Sequence, residues 1–270
     1  MGALAALVMG VLNVTPDSFS DGGRWADPEA AVARGLEMIA EGADVVDVGG
    51  ESSRPGATPV AEAEELRRVV PVVASLAARV RVSVDTVKPA VAQAAIEAGA
   101  TLVNDISASL APVAAAAGVG WVAMHMRGTP ATMVSLARYD DVVTEALEWL
   151  AARACEGARA GVSEVWVDPG IGFAKTAGHN LELLRHLGRL VELGWPVMIG
   201  ASRKSFLGPL SSRAGEPPAG AADRLEASLA TALWAVEQGA TMVRVHDVAP
   251  TVQALKLAGR HLHEPSLAAS

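Results

Sequence analysis

The chain of 270 residues reads as a single (β/α)8 barrel, a TIM barrel domain covering residues 1–270. Three observations predict it. Eight short apolar runs each stop abruptly at a polar or glycine residue, and helical stretches with readable caps lie between them. Parallel strands covered on both faces read as unbroken apolar runs, and such barrels keep their chemistry at the C-terminal ends of the strands. The length is that of one such barrel, so no second domain is required.

In chain order the runs are 7–12 ending at Asn13, 45–46 at Asp47, 82–84 at Asp85 and 102–103 at Asn104. The second half continues with 121–124 ending at His125, 165–167 at Asp168, 197–199 at Gly200 and 242–243 at Arg244. Asp27-Pro28-Glu29 opens the first helix with an N-cap, a proline and an acid in the first turn, and Gly42 closes it. Thr58-Pro59 predicts the same device for the second helix, and Pro89 opens a third that ends at Gly99. The close spacing of Asp85, Asn104 and His125 forces the helices between them to be short. EALEWLAARACEGARAG is a longer helix that carries Cys155. Residues 211–222, with Gly215, Pro217, Pro218 and Gly220, read as an exposed loop before a last helix over 221–238. The phrases EGADVVDV (41–48), AGATLVND (98–105) and QGATMVRV (238–245) repeat one helix exit, a glycine followed at once by a strand.

Composition narrows the function classes. Apolar residues make up 51% of the chain but aromatics only 4%, so Ala, Val and Leu must fill the core. The formal charge of −8 argues against a nucleic-acid surface, while a small anionic substrate remains compatible with locally clustered basic residues. Cys155 is the sole cysteine, which excludes an intrachain disulfide and a Cys-based metal site. MGALAALVMGVL lacks a basic leader and runs into NVTPDSFSDGG, so it reads as a first strand and not as a secretory core. No run approaches membrane-spanning length. The expectation is a cytoplasmic protein with no membrane and no nucleic-acid partner.

The strand ends divide into two chemical groups. Asp85, Asn104 and Asp168 converge on the barrel mouth with Lys204 from GASRKSFLG. A carboxylate can accept two parallel donors from a heterocycle with adjacent ring N–H and NH2 groups, so an aminopyrimidinone edge fits. Equally open is that Asp85 and Asp168 pair with Lys204, Arg203 or Arg54 and only stiffen the barrel. The second group is Asn13, Ser53, Arg54, Arg244 and His246, from the neighbouring first, second and eighth strand ends. These donors suit a phosphate or diphosphate. Asn13 and Asp21 offer oxygen ligands for Mg2+, and the competing reading is a salt bridge between Arg244 and a nearby acid. GIGFAKT (170–176) echoes a phosphate loop without its spacing, His261 and His263 lack a third zinc ligand, and no Gly-x-Ser-x-Gly occurs.

Eight blocks, taken together, are similar to the dihydropteroate synthase family: MGVLNVTPDSFSDGG (9–23), GADVVDVGGESSRPGA (42–57), VSVDT (82–86), VNDIS (103–107), AMHMRGTP (123–130), VDPGIGFAKTAGHNLELL (167–184), GASRKSFLG (200–208) and VRVHDV (243–248). The resemblance spans nearly the whole chain in the family's order. It implies a (β/α)8 barrel that joins 6-hydroxymethyl-7,8-dihydropterin diphosphate to p-aminobenzoate, giving 7,8-dihydropteroate and diphosphate in folate biosynthesis. Matched position by position, it implies a pterin site of Asp85, Asn104, Asp168 and Lys204 with Ile106 and Met124 as apolar walls. It implies a diphosphate site of Asn13, Ser53, Arg54, Arg244 and His246, with Mg2+ held by Asn13 and Asp21. The p-aminobenzoate site it implies is Phe19, Pro55, Phe173, Ser202 and Lys204. Catalysis then rests on Asn13, Asp21, Arg54, Lys204, Arg244 and His246, while Asp47 supports the loops above it.

Two departures stand out. Ser53 replaces a commoner Thr and keeps the hydroxyl, and Ile106-Ser107-Ala108-Ser109 follows Asn104-Asp105 where Gly-Gly or Gly-Leu is commoner, which questions the local backbone path. A pterin-dependent methyltransferase barrel would keep Asp85, Asn104 and Asp168 but has no use for NVTPDSFSDGG or RVHDV. A catalytically silent pterin-binding paralogue would be expected to lose Arg54, Lys204 or the first loop. The long first and second loops read as lids that complete the p-aminobenzoate pocket after the first substrate binds. The resemblance also implies a homodimer through outer helices, to which Leu225, Leu229, Leu233, Trp234 and Val236 can contribute.

Overall fold

The structure, a computed structural model, describes residues 5–15 and 28–261. The expectations for Phe19, Asp21, Asp27 and His263 lie outside the described residues. Eight strands appear where the apolar runs stand: β1 (Leu7–Asn13), β2 (Val45–Gly49), β3 (Arg81–Asp85), β4 (Leu102–Asp105), β5 (Gly120–Met124), β6 (Val165–Asp168), β7 (Met198–Ile199) and β8 (Met242–Val245). All are parallel, in the order β6-β5-β4-β3-β2-β1-β8-β7. A bridge between Val167 and Val197 joins the two outer strands and closes the ring. That closure is thin, because β7 has two residues and β6 reaches its neighbour through a bridge supported by Val167 N–H on the Pro196 carbonyl at 3.0 Å.

The helices outside the ring are α1 (Pro28–Ala40), α2 (Glu62–Leu76), α3 (Pro89–Glu97), α4 (Ala111–Ala117), α5 (Val142–Arg159), α6 (Ala177–Arg185), α7 (Leu187–Val191), α8 (Gly208–Ser211), α9 (Leu225–Glu237) and α10 (Val248–Leu257). The compressed spacing between Asp85 and His125 is met by α3 and α4, of nine and seven residues. The repeated exit phrase has one geometry. Gly42, Gly99 and Gly239 take φ of 100°, 111° and 105°, and the next residue donates to a carbonyl five positions back: Ala43 to Met38, Ala100 to Ala95 and Ala240 to Ala235. That is the six-to-one bond of a Schellman ending, which only a left-handed residue permits without strain.

Three boundary expectations are corrected. Thr58-Pro59 does not open α2, which begins at Glu62 after an uncapped Ala61. The segment before it is held instead by the Glu51 carboxylate, which accepts the Val60 N–H at 2.7 Å. The expected helix over 221–238 is a 3-10 turn, Ala221–Asp223, followed by α9, because Arg224 turns its guanidinium onto the Ala219 and Arg203 carbonyls. Nor is α9 the last helix, since α10 follows β8.

Strand alternation separates two apolar cores. Val46, Val48, Val82, Val84 and Val103 belong to a large core shared with the helices, whereas Met9, Val45, Leu102, Val122, Trp166, Met198 and Met242 form a second one. Two residues further along the same strands, on the same face, come Asp47, Asn104, Met124, Asp168 and Arg244. A period of two thus places an apolar plug inside the barrel and a polar layer directly above it, toward the C-terminal mouth.

The turn after β4 settles the departure at Ala108. Asp105 is fully buried and accepts the N–H groups of Ser107 at 2.9 Å and of Ser109 and Leu110 at 2.7 Å, with the Trp121 indole at 3.1 Å. Inside that turn Ala108 takes φ 50°, so the backbone follows a glycine path although the residue is alanine. Gly170, at φ 67°, is the opposite case: a Cβ there would lie 2.0 Å from the His125 carbonyl oxygen. Ala108→Gly is expected to raise stability by about 0.5–1 kcal/mol, the left-handed strain relieved less the added unfolded-state entropy. Gly170→Ala should lower it by about 1–3 kcal/mol. Urea unfolding of both variants checks the pair, and a destabilised Ala108→Gly would contradict the strain.

Candidate active site

A carboxylate buried among strand ends needs partners, and the polar layer supplies them internally. Arg244 on β8 donates from Nε to Asp47 Oδ2 at 2.6 Å and from Nη2 to Asp85 Oδ2 at 2.7 Å. Asn104 completes the link, donating Nδ2 to the same Asp47 oxygen at 2.9 Å. The guanidinium fork therefore spans two strands and two acids. Asp168 at the end of β6 is held by the Gly170 N–H at 2.7 Å. The reading that pairs Asp85 and Asp168 with Lys204, Arg203 or Arg54 is wrong in partner, whereas the competing reading of a salt bridge between Arg244 and a nearby acid is what the structure shows. Asp85 pairs with Arg244, Arg203 pairs with Asp247 at 2.9 Å, and Lys204 rests over the Phe173 ring, 3.8 Å from its centroid.

Electrostatics follow from burial. Desolvation pushes Asp85 up to about 7, with Arg244 pulling it back and Asp47 adding to the rise. The Asp168 carboxyl is also raised, first by burial, against the Gly170 N–H and the Lys204 charge. Burial and then Arg244 lower Lys204 to about 8, opposed by Asp168 and Asp85. Burial would lower Arg244, but Asp47 and Asp85 hold it above its ordinary value. His246 is driven down to about 3 by burial and by Arg244, Arg203 and Lys204, so its ring is neutral at physiological pH.

The structure brings most of the expected residues together. Asp85, Asn104, Asp168, Arg244 and Lys204 share the mouth, while Ile106 and Met124 are buried there. Ile106, Ser53 and Asp85 line one cleft. Asn13 Oδ1 lies 3.8 Å from where a Cβ on Gly49 would stand. Ser202 and His246, assigned to different subsites, touch: Ser202 Oγ accepts the His246 backbone N–H at 3.2 Å and sits 3.1 Å from its Nδ1. Arg54 and Pro55 are exposed on the loop after β2, whose Gly56 N–H reaches the Pro130 carbonyl at 3.1 Å.

Sequence reasoning missed a network under that loop. Lys88 donates to Glu51 at 2.6 Å and to Glu65, and Glu65 accepts the Thr86 hydroxyl at 2.6 Å. Glu65 is buried, and its spacing to Val69, Val72 and Leu76 on the inner stripe of α2 was a legible sign. His125 and Lys175 were also passed over, the first as a strand end and the second as part of a rejected phosphate loop.

The chain matches the family described as pterin binding enzyme over residues 9–246. It is 49% identical to the dihydropteroate synthase of Mycobacterium leprae, covering 95% of this chain and 93% of the relative. Among solved structures it is similar to the Xanthomonas albilineans dihydropteroate synthase with 4-aminobenzoic acid, at 46% identity and a TM-score of 0.86, covering 94% of this chain and 92% of that one. A Yersinia pestis dihydropteroate synthase in complex with a sulfonamide drug gives 42% identity and a TM-score of 0.86, covering 94% of each chain. With the family match running from β1 to the end of β8 and the polar layer intact, the chain belongs to the dihydropteroate synthase family of pterin-binding enzymes.

Proposed function

We propose that the chain joins 6-hydroxymethyl-7,8-dihydropterin diphosphate to p-aminobenzoate, releasing diphosphate and forming 7,8-dihydropteroate for folate biosynthesis. The observation that carries this reading is the inward layer of Asp85, Asn104, Asp168, Lys204 and Arg244 at the mouth of a barrel of this family. Asp85, Asn104 and Asp168 meet the donor edge of the pterin, with Ile106 and Met124 as its walls. Arg244 is shared between subsites: it neutralises Asp85 in the ligand-free protein and turns to the diphosphate once the pterin's donors take over that carboxylate. His246 offers a neutral N–H, and an incoming diphosphate raises its affinity for a proton by opposing the cations around it.

The carbon–oxygen bond to diphosphate breaks as Arg244 and His246 absorb the charge developing on the leaving group. The electron-rich dihydropterin stabilises the cation left on the methylene carbon, and the aniline nitrogen then attacks that carbon and loses its proton. Little acid–base work is needed, so positioning and the exclusion of water carry the rate. Phe173, Lys204 and Ser202, with Phe19 and Pro55 from the two loops, form the p-aminobenzoate site. Ser53 and Arg54 reach the diphosphate when the second loop closes.

Mg2+ is the cofactor we assign. The donor set fits it, because Asn13 presents a hard oxygen beside Gly49, next to the Asp85 carboxylate, and Asp21 is a further carboxylate in the first loop's sequence. Such an ion draws its remaining ligands from phosphate and water. When bound, Mg2+ neutralises charge developing on the leaving diphosphate. We further propose a cytoplasmic homodimer. No helix among the described residues is long and apolar enough to cross a membrane, and α9 exposes Trp234 on the outer face.

Diphosphate release should require p-aminobenzoate and Mg2+ and should fall at least about 100-fold in Arg244→Ala, followed by coupled phosphate detection with circular dichroism to confirm folding. Release unaffected by the substitution refutes the shared role of Arg244. p-Aminobenzoate should bind measurably by calorimetry only with the pterin diphosphate or free diphosphate and Mg2+ present, and equal affinity without them would exclude ordered assembly. A sulfonamide mimics p-aminobenzoate but carries a substituent beyond its outline. Bulky replacements at Ser53, Pro55 or Phe19 should therefore raise the drug's inhibition constant more than the substrate's KM, and parallel losses would count against this.

A further inference from the structure

GIGFAKT (170–176) carries a lysine, Lys175, that the reaction as described leaves unused. Lys175 Nζ contacts His125 Nδ1 at 3.0 Å, the His125 carbonyl at 3.2 Å and the Phe173 carbonyl at 3.0 Å. All three partners are neutral acceptors. Burial and the Lys175 and Arg127 charges push His125 down to about 3, so the ring is neutral, and in the tautomer protonated on Nε2 its Nδ1 accepts from Lys175. Burial lowers Lys175 itself to about 7, with Asp168 opposing and Lys204 and Arg127 adding to the fall. A buried ammonium hydrogen-bonded to no carboxylate is costly, and an apolar chain of equal length would fill the same space without that cost. What only the ammonium supplies is a set of donors aimed at two strand ends.

Those strand ends carry the substrate sites. His125 follows Met124, and its N–H donates to the Asp168 carbonyl at 2.9 Å. Phe173 lies under Lys204, and a Cβ on Gly172 would come within 2.9 Å of Lys204 Cδ. Asn180, itself buried, steadies the same turn by accepting the Gly172 N–H at 2.7 Å. The chain also bends to bring the lysine inward, with Ala174 at φ 50°.

We propose that Lys175 is a positioning residue: by gathering the His125 ring and the carbonyls of His125 and Phe173, it holds the Phe173 ring beneath Lys204 and sets the wall between the pterin and p-aminobenzoate sites. This rests on the reaction proposed above. Lys175→Met removes the donors at nearly constant volume. Its KM for p-aminobenzoate should rise about tenfold or more while the KM for the pterin diphosphate stays within about twofold, and its crystal structure should show Phe173 displaced. In a Cys155→Ala background, Lys175→Cys alkylated with 2-bromoethylamine restores an ammonium at similar reach and should recover the KM. Unchanged KM values in Lys175→Met, equal losses for both substrates that alkylation does not restore, or failure of both variants to fold would each overturn the proposal. The unmodified protein runs alongside. No dihydropteroate from it would refute the reaction, while the position of Phe173 in the variant crystal would still decide the role of Lys175.

Discussion

Buried charge governs this barrel. Asp47 is fully buried and Asp85 nearly so, one strand apart, and both depend on a single guanidinium that crosses from β8. Removing one member of such a set leaves an uncompensated charge in the interior, at about 3–5 kcal/mol. A lysine could not replace it, because a point charge cannot give two fixed donors to acids on different strands. The requirement propagates downward. The fork reaches both acids only if the strands keep their register and the plug of Met9, Trp166, Met198 and Met242 holds the barrel at its present width. Polar layer and apolar plug are two heights of one alternation, and neither can shift without the other.

Around the layer, backbone strain collects on one side. Ala108, Ala174 and Arg203 take left-handed conformations after β4, β6 and β7 respectively, and the last two border Phe173 and Lys204. Such conformations persist only where the surroundings over-determine them. At Ala108 the surroundings are the five hydrogen bonds on the Asp105 carboxylate. At Arg203 they are the Asp247 ion pair and the Ser228 hydroxyl, which accepts the Arg203 N–H at 3.0 Å. Ala174 and Arg203 lie next to Lys175 and Lys204, so these two loops spend conformational energy to aim two buried ammonium groups.

The barrel was legible in the sequence because its strands end where apolar runs meet polar residues, and inward alternation turns each of those endings into a place at the mouth. The site's membership was legible for the same reason, and through the resemblance. Its pairing was legible only in kind: a salt bridge from Arg244 to a nearby acid stood as the competing reading, but Asp47 and Asp85 could not be named as those acids, since contacts across a barrel depend on strand tilt and on the diameter set by interior side chains, neither of which a linear pattern encodes. The Lys88–Glu65 pair escaped because charge on a helix is ordinarily read as a solvated face, although the place of Glu65 on the inner stripe of α2 argued otherwise. Thr58-Pro59 misled because a capping signature carries no information about whether a helix follows at once or a loop intervenes.

The ring of strands is also mechanically uneven. From β1 to β6 each junction is a ladder of several registered pairs, but β6 and β7 meet through one bridge. A hoop with one weak joint yields there first, since local opening costs least where the fewest hydrogen bonds must break. Asp168 sits at the end of one lip of that joint, and the loop bearing Lys204 leaves from the other. The pocket can thus widen along a single line, between these two groups, while the Asp47–Arg244–Asp85 brace ties β8 to β2 and β3. The barrel behaves as a split collar, stiff where charge is stored and compliant where a flat ring must slide in.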